Sequence, residues 1–480
     1  MFLVRRTPNV TPRPSIPVLP TILPGSGEIP ELPAVDHTSP LREEVFPYPS
    51  YAEDFHCIGP QCEDSCCKAW DLRLDQATYE RYQWIPAESL LGRTVARSVR
   101  MLAEPRTEQE YARILLNDAL ECPFLTPESW CGIQQTLGEE ALSHTCRTYP
   151  RIERQSPTGR QETTLYLSCP EAARLVLLAS GSEKSCDSQR EDSEWCAEAA
   201  YEAVAVKSKL RMAEAEGKEI SEGILGAMRS FLQVLLRDRR YSVGERVWLM
   251  GVFADRLQAE IRNVDAKSVQ RWLELLGEFC RLAGAGTLLP ALEQVAGQPA
   301  MQLALTLRLI NLRLDRVMNS LRFLDDVKVF LDGSGYKPGK TPEDLAPAWQ
   351  RAEEQYFAPW LEAHPWLLEN YLAHAVERSG FPFMRDWNCF EPATSFHALC
   401  THYVVIRTLL AGLAGAHGDG FRVEDAVRLV QTYSRMMDHH AEFQAASAGM
   451  LADANWTDAG SLAGLLLEGR RIRPNARAMA

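Results

Sequence analysis

Cysteine is the residue type best suited to chemistry in this chain of 480 residues, because thiolates are soft ligands for zinc and for iron–sulfur clusters. Eight of its thirteen cysteines lie between positions 57 and 169. These candidate metal ligands are Cys57, Cys62, Cys66, Cys67, Cys122, Cys131, Cys146 and Cys169. The density of thiols predicts a metal centre, and iron–sulfur and zinc are both open.

A disulfide framework is the other common use of clustered cysteines, but it is typical of small secreted domains. A chain of this length buries a large core without cross-links. Its opening residues, MFLVRRTPNV, lack the apolar run of a secretory signal. We therefore expect a cytoplasmic protein whose thiols stay reduced and free to bind metal.

The charge and hydropathy of the chain limit the kinds of partner that it can bind. The net charge is -13 at pH 7, which argues against broad nucleic-acid affinity, since binding phosphate needs a concentrated basic surface. No apolar run approaches the ~20 residues of a membrane span. We expect neither nucleic-acid nor membrane partners.

The spacing of the thiols leaves their grouping open. Cys66 and Cys67 are adjacent, so they serve one compact centre only if the chain turns there; otherwise they serve two neighbouring sites. The paired C-x2-4-C knuckles of zinc fingers and ribbons are absent from this arrangement. Proline follows Cys122 and Cys169 and stiffens the loop at each.

Four segments are predicted along the chain. Residues 1–46 form a proline-rich arm, extended or disordered or draped over the body, and residues 47–180 form a cysteine-rich metal-binding domain. Residues 181–445 form a helical domain that recognises the substrate, and residues 446–480 form a C-terminal tail. The fold class is mainly α, with a cysteine-rich metal-binding N-terminal part followed by an all-helical C-terminal part.

Apolar periodicity supports the helical assignment. Ile224, Met228, Phe231 and Leu235 recur at helical spacing. Further helices are predicted near 245–262, 266–284, 345–378, 393–413 and 422–440, a short one begins at Asp75, and residues 163–169 are the best strand candidate. No glycine-rich dinucleotide motif is recognisable: residues 412–420 fit a helix end, and residues 334–341 fit a linker ending in a helix cap.

The cysteine segment resembles a known family. CIGPQCEDSCCKAWDLRLDQATYERY, followed by ECPFL, CRTYPR and LSCPEAA, is similar to the flagellin lysine N-methylase family and the wider group of zinc- or iron-chelating cysteine-cluster domains. LLENYLAHAVERSGFPF (367–383) and FHALCTHYVVIRTLL (396–410) resemble later family segments. The resemblance covers roughly residues 47–440. It implies methyl transfer from S-adenosylmethionine to lysines of flagellin or another protein, with a 4Fe-4S centre held by the cysteines.

Two segments supply candidates for binding the methyl donor. The CRTYPR segment offers arginines that could bind a cofactor carboxylate or offset thiolate charge, or could form a solvated basic turn. Residues 369–371 could form a polar cofactor pocket or could serve ordinary helix packing. The cofactor-binding candidates are Arg147, Tyr149, Glu369, Asn370 and Tyr371.

Other polar residues have similar alternatives. Arg151 and Arg154 share the alternatives given for Arg147. His56 and His144 lie near cluster thiols and could ligate the metal or donate a hydrogen bond to a ligand. Asp438, His439 and His440 suggest a second metal site, but adjacent histidines on a helix face different ways, so we favour surface positions.

Methyl transfer to lysine makes two demands. The amine attacks only when neutral, so the site must depress a pKa near 10.4 or supply a base, and donor and acceptor must lie in line. No residue can be assigned as the base from sequence. Because the C-x3-C-x2-C signature of radical enzymes is absent, a fully coordinated structural centre remains open. The alternative function is a non-catalytic zinc or iron–sulfur module, an electron carrier, or a helical adaptor that metal keeps folded.

Overall fold

The computed structural model describes residues 51–104, 107–108, 110–155, 161–179, 220–261, 268–286, 296–314, 320–383 and 391–467. The predicted proline-rich arm at 1–46 lies outside these residues. Every regular element described from residue 220 onwards is helical, which confirms the all-helical C-terminal part.

The cysteine-bearing part, residues 51–179, combines short helices with two small antiparallel sheets. Its helices are α1 (Tyr51–Asp54), α2 (Gln76–Gln83), α3 (Leu90–Ser98), α4 (Gly132–Leu137), α5 (His144–Thr148) and α6 (Pro170–Leu177). One sheet has the order β1 (Leu72–Leu74), β3 (Ala112–Ile114), β2 (Val99–Met101), and the other pairs β4 (Arg151–Gln155) with β5 (Gln161–Leu165).

Asp75 organises the start of this part. Its carboxylate caps α2 by accepting the N–H of Thr78 at 2.8 Å, as predicted for a helix beginning there. The same carboxylate accepts the N–H of His144 at 2.9 Å, so one side chain joins the beginnings of α2 and α5.

The strand predicted over 163–169 is confirmed in part, since β5 covers Gln161–Leu165.

The helical body contains longer helices. They are α7 (Ile220–Arg237), α8 (Val243–Ile261), α9 (Ser268–Gly284), α10 (Pro299–Leu314), α11 (Leu321–Gly333), α12 (Pro342–Ala352), α13 (Ala358–Ala363), α14 (Trp366–Ser379), α15 (Pro392–His417), α16 (Val423–Met437), α17 (Ala441–Asp453) and α18 (Ala459–Leu466). The helices predicted near 245–262, 266–284, 393–413 and 422–440 are thereby confirmed.

The helix predicted over 345–378 is wrong as a single element, because it is interrupted before Pro365. A π-helical turn occupies Glu353–Phe357, and the backbone leaves the helical region at His364. Pro365 follows, and proline both lacks an N–H and disfavours helix in the residue before it. The predicted cap is confirmed, since Thr341 and Asp344 form a capping box at the start of α12.

Helix α15 lies at the centre of the body. It is the one described helix long and apolar enough to cross a membrane by length and composition, yet 89% of its most apolar window is buried inside the protein. It packs closely against α11: a Cβ added at Gly333 would stand 1.8 Å from the carbonyl oxygen of Gly412. Glycine at 333 therefore sets the distance between the two helices.

The described residues beyond 446 pack into the body, although 446–480 was predicted as a tail. Trp248 of α8 donates its indole N–H to the carbonyl of Ala459 at 2.9 Å. Gln302 of α10 donates to the carbonyl of Leu465 at 2.8 Å. Helix α18 therefore contributes to the core of the body, and residues 468–480 lie outside the described part.

Glu369 of α14 forms the centre of a buried ion-pair group. Its carboxylate lies 2.8 Å from Nη1 of Arg246 and 2.9 Å from Nη2 of Arg239. The Arg246 side chain is 4% exposed, whereas that of Arg239 is 58% exposed. Loss of Glu369 would leave the Arg246 charge buried without a counter-ion.

We predict that Glu369→Ala lowers the free energy of unfolding by about 3 kcal/mol, the usual effect of breaking a buried pair. Arg239→Ala, which removes only the exposed partner, should cost about 1 kcal/mol or less. Chemical denaturation of both variants measures the difference. Equal, small effects would contradict the structural role and favour a role for Glu369 in binding a cofactor.

Candidate metal centre and its junction with the helical body

Four of the eight thiols border the core of the cysteine-bearing part. Cys122 is buried, and the other three are partly buried against the same apolar cluster. The backbone fixes this arrangement, since Cys122 donates its N–H to the carbonyl of Cys67 at 2.7 Å and Cys131 pairs with Leu125 in an isolated bridge. We call this group the inner thiol set: Cys67, Cys122, Cys131 and Cys146.

Burial keeps most of the inner thiols protonated when no metal is bound. It raises the pKa of Cys146 to about 12, and charge on Cys67 or Cys131 would raise that pKa further. The pKa of Cys122 is raised for the same first reason. Metal binding at this set would therefore release protons, because only thiolates ligate.

The remaining thiols form an outer thiol set, defined as Cys57, Cys62, Cys66 and Cys169. Cys169 precedes α6 and packs beside a small cluster that includes Phe55. Burial raises the pKa of Cys169 to about 12, with further contributions from charge on Cys62 and Cys57. Cys57 and Cys66 are exposed, so the outer set is the solvent-facing side.

Cys66 and Cys67 connect the two sets. A hydrogen bond between their side chains lowers the pKa of Cys67 to about 7 and raises that of Cys66 well above its usual value. Ser65, Arg435 and Lys68 also favour the Cys67 thiolate. Cys67 lies with the inner set, and charge on Cys146 or Cys57 would raise the pKa of Cys66 further, so both arrangements that the sequence left open stay predictions.

The donor set suits a soft metal, since eight thiols come from several segments of one part of the protein, and a lowered pKa favours the thiolate of Cys67. No three His, Cys, Asp or Glu side chains of the described residues form a group arranged to hold a metal ion. The chemistry of the donors therefore fits the implied group, whereas their assignment as ligands stays a prediction.

Arg435 of α16 fastens the cysteine loop to the helical body. Its guanidinium donates to the carbonyls of Asp64 at 2.9 Å, Ser65 at 3.0 Å and Lys68 at 2.6 Å, and it pairs with the Asp64 carboxylate at 2.9 Å. Gln431, one turn earlier, donates to that carboxylate and to the carbonyl of Ser168. Helix α16 therefore holds both the loop that carries Cys66 and the residue just before Cys169.

A second set of contacts crosses the same junction just after α16. His439 Nε2 lies 2.8 Å from Ser168 Oγ, and Ser168 Oγ lies 3.0 Å from the hydroxyl of Tyr149. Asp438 pairs with Arg378 at 3.3 Å, both largely buried. The expected surface positions for residues 438–440 are wrong, because the chain turns after Met437 and directs the two histidines to different partners, Ser168 and Arg313.

The structure separates the cofactor candidates of the CRTYPR segment. Arg147 is exposed, lies 3.7 Å from Glu140, and lines a groove of about 540 Å³ on the outer side of α2 and α5. Tyr149 points to the junction instead. Arg151 donates to the carbonyl of Phe55 and stacks over its ring, and the Arg154 side chain lies outside the described residues.

The cofactor candidates on α14 have partners within the protein. Glu369 pairs with two arginines, and Asn370 donates to the carbonyls of Leu177 and Ala179, which joins α14 to the end of α6. Tyr371 is buried in the apolar core. These contacts account for helix packing, and a role of all five candidates in binding a cofactor stays a prediction.

The two histidines near the thiols occupy peripheral positions. His56 Nδ1 lies 3.0 Å from the carbonyl of Asp54, and His144 is exposed at the beginning of α5. Sequence reasoning missed Trp70, Tyr166, Ser168, Gln431 and Arg435, which the structure brings to the junction. Trp70 carried a signal, an aromatic residue just after the paired cysteines, whereas Gln431 and Arg435 carried none.

We predict that Cys67→Ala lowers the metal content of protein purified without oxygen, because it removes the thiol most disposed to ligate. It should also destabilise the cysteine-bearing part, since ligand loss removes binding free energy that supports folding. The matched control is Cys280→Ala, which removes a buried thiol of α9 in the helical body. Equal metal content in both variants would mean that the ligands are misassigned.

Arg435→Ala should lower metal retention and destabilise the protein by about 2 kcal/mol, because it leaves the partly buried Asp64 without its cation and removes the donors to the loop. Arg428→Ala is the control matched for loss of stability, since Arg428 lies on the same helix and its loss leaves buried Asp326 of α11 without that cation, so this variant should keep its metal. Metal analysis after dialysis against a chelator and denaturation curves measure both effects. If the two variants retained metal equally, the hydrogen bonds from Arg435 to the loop would not be needed for metal binding.

Comparison with known proteins connects the helical body to a family. The family model of the FliB lysine N-methylase C-terminal domain matches residues 229–465, which comprise most of the helical body. Flagellar biosynthetic protein FliU of Salmonella muenchen is 32% identical over 151 residues, covering 30% of this chain and 87% of that protein.

Two further relatives are named lysine-N-methylase, from Salmonella choleraesuis and Salmonella typhimurium. Each is 33% identical over 138 residues, covering 28% of this chain, and the match spans only 33% of the relative's length. No solved structure matches the chain. The family model and the extensive match to FliU show that this chain belongs to the FliB lysine N-methylase family.

Proposed function

We propose that this protein is an S-adenosylmethionine-dependent protein-lysine N-methyltransferase that carries an iron–sulfur centre and acts on flagellin in the cytoplasm. The observation that carries the proposal is the 33% identity to proteins named lysine-N-methylase. The match to a protein named for flagellar biosynthesis supports a flagellar substrate.

The cysteine-bearing part supports the first part of the proposal, the iron–sulfur centre. Eight thiols approach from loops and helix starts in two neighbouring sets, and iron–sulfur clusters are held by cysteine thiolates. Both sets would hold such a group, with Cys67 supplying a ready thiolate. A bound cluster would supply either a structural cross-link or an iron open to the amino and carboxylate groups of the donor.

The junction supports the second part of the proposal, methyl transfer to a lysine. A lysine amine must lose its proton before it attacks a sulfonium methyl, and a site without uncompensated negative charge gives the ammonium form little stabilisation. Arg378 and Arg435 lie at the junction, and the carboxylates of Asp438 and Asp64 are already paired with them. The junction is therefore a place where an amine would be held neutral beside the outer thiol set.

The helical body supports the third part of the proposal, recognition of the protein substrate. A protein substrate has to be oriented by a surface larger than a thiol-rich loop, because positioning is a large part of the barrier in methyl transfer. Helix α16 fixes the loop of Cys66 to this body through Arg435. Substrate bound by the helices would thereby be aligned with the thiol sets.

A non-catalytic zinc or iron–sulfur module is the alternative. It is favoured by the protein partners of Glu369 and Asn370, which leave those two candidates committed to packing. In that case the metal would serve only to hold the cysteine-bearing part folded. Metal analysis and a transfer assay on the same preparation separate the two functions.

We predict that protein purified without oxygen contains iron and sulfide, and that it adds methyl groups to flagellin lysines when S-adenosylmethionine is present. Mass spectrometry of flagellin measures the transfer. The control replaces the donor with S-adenosylhomocysteine, which has no methyl group to give. Zinc without iron would refute the iron–sulfur centre alone; unmodified flagellin with a fully loaded protein would refute the methyltransferase.

A further inference from the structure

Four aromatic rings from separate segments meet at the junction of the two parts. Trp70 and Tyr149 have ring centroids 5.0 Å apart, and Tyr149 and Tyr166 lie 6.5 Å apart. Tyr166 and His439 are 4.6 Å apart, and His439 and Trp70 close the circuit at 6.1 Å. We call this group the aromatic junction: Trp70, Tyr149, Tyr166 and His439.

Hydrogen bonds hold the rings by their polar edges. Tyr149 and His439 both contact Ser168 Oγ, at 3.0 and 2.8 Å. The indole N–H of Trp70 donates to the carbonyl of Cys66. These bonds use the indole N–H of Trp70, the hydroxyl of Tyr149 and Nε2 of His439, so a ligand would meet the rings mainly through apolar contact, and all four residues are partly exposed.

The aromatic junction lies against the outer thiol set. Trp70 is bonded to the backbone of Cys66, and Ser168, which links two of the rings, directly precedes Cys169. Cys66 is exposed. A ligand lying on the rings would therefore reach the solvent-facing side of the thiols.

The charges around the rings limit what such a ligand can be. Arg378 lies 6.0 Å from the ring centroid of Tyr166 and is paired with Asp438, and Arg435 is paired with Asp64. Both carboxylates are thus compensated, so a charged ammonium would gain little from them. Aromatic rings favour an aliphatic stem through apolar contact, and cation–π attraction would hold its ammonium only until the proton is lost.

We propose that the aromatic junction receives the side chain of the acceptor lysine, with its four-carbon stem on the ring faces and its amine towards the outer thiol set. This assignment rests on the proposed function and names the acceptor site within it. In the transfer, the ammonium first loses a proton to water. The nitrogen then forms a bond to the donor methyl as the carbon–sulfur bond breaks, which leaves S-adenosylhomocysteine.

Binding of flagellin is the direct test, because it does not depend on turnover. Isothermal titration of flagellin into the metal-loaded protein, with S-adenosylhomocysteine present, gives Kd for wild type and variants. Tyr166→Leu should raise Kd about fivefold, the effect of losing one aromatic face at a partly exposed site. Tyr166→Phe keeps the ring and should bind nearly as wild type does.

Two further variants guard against a general effect on folding. Trp70→Leu removes a second ring and should weaken flagellin binding to a similar degree. Trp84→Leu is the matched control, since Trp84 follows α2 in the same part of the chain, is 87% exposed and does not contact the junction. Iron content and melting temperature are measured for each variant, and only variants that match wild type in both are compared.

The outcomes separate the two proposals. If both leucine variants bind flagellin as wild type does, or if they weaken the binding of S-adenosylmethionine instead, the lysine assignment is overturned. If neither leucine variant keeps its iron and melting temperature, the rings are structural and the assignment is likewise overturned. If wild type binds flagellin through the rings but transfers no methyl group, the proposed function fails while the binding site stands.

Discussion

The hydrogen bonds from Arg435 to the loop of residues 64–68 are the contact on which the candidate site depends. A loop that carries four thiols within eleven residues and contains Gly59 and Pro60 has few internal hydrogen bonds to define its shape. One buried guanidinium satisfies three of its carbonyls and one carboxylate. The planar fork of arginine suits this task, because its donors diverge in fixed directions. Without Arg435, the carbonyls would have to be solvated, and the loop would lose its main hydrogen bonds to the helical body.

If the thiols of the two sets ionised together, electrostatics would favour a cation beside them. Burial raises the pKa of Cys122, Cys146 and Cys169, because desolvation makes an isolated thiolate unfavourable at each position. Cys67 is the exception, since a hydrogen bond from Cys66 and nearby positive charge lower its pKa to about 7. Above that pH it is mainly a thiolate, and below it the thiol form prevails. Metal affinity should accordingly increase as the pH rises.

The features that local sequence determines were predictable. Apolar spacing and caps located the long helices, Asp75 marked the beginning of α2, and the density of cysteine identified the candidate ligands. Strands β1, β2 and β3 have three residues each, too few for an alternating pattern to appear. The break before Pro365 was missed even though proline signalled it, because the apolar pattern continued on both sides.

The site itself could be predicted only in part. Adjacency of Cys66 and Cys67 left two groupings open, and local sequence cannot choose between them. His439 and Ser168 are separated by 271 positions, and Arg435 and Asp64 by 371, so no local pattern connects them. Glu369 and Asn370 looked like pocket residues because they are polar, yet their partners on α6 and α8 use that polarity for packing.

The central claim is that the thiols of the cysteine-bearing part hold an iron–sulfur centre against the helical body. X-ray absorption at the iron edge, on protein kept free of oxygen, tests it most directly. The account predicts that sulfur atoms are the nearest neighbours of iron, with other iron atoms just beyond them. Iron surrounded by nitrogen and oxygen, or a protein that contains no iron, would contradict it.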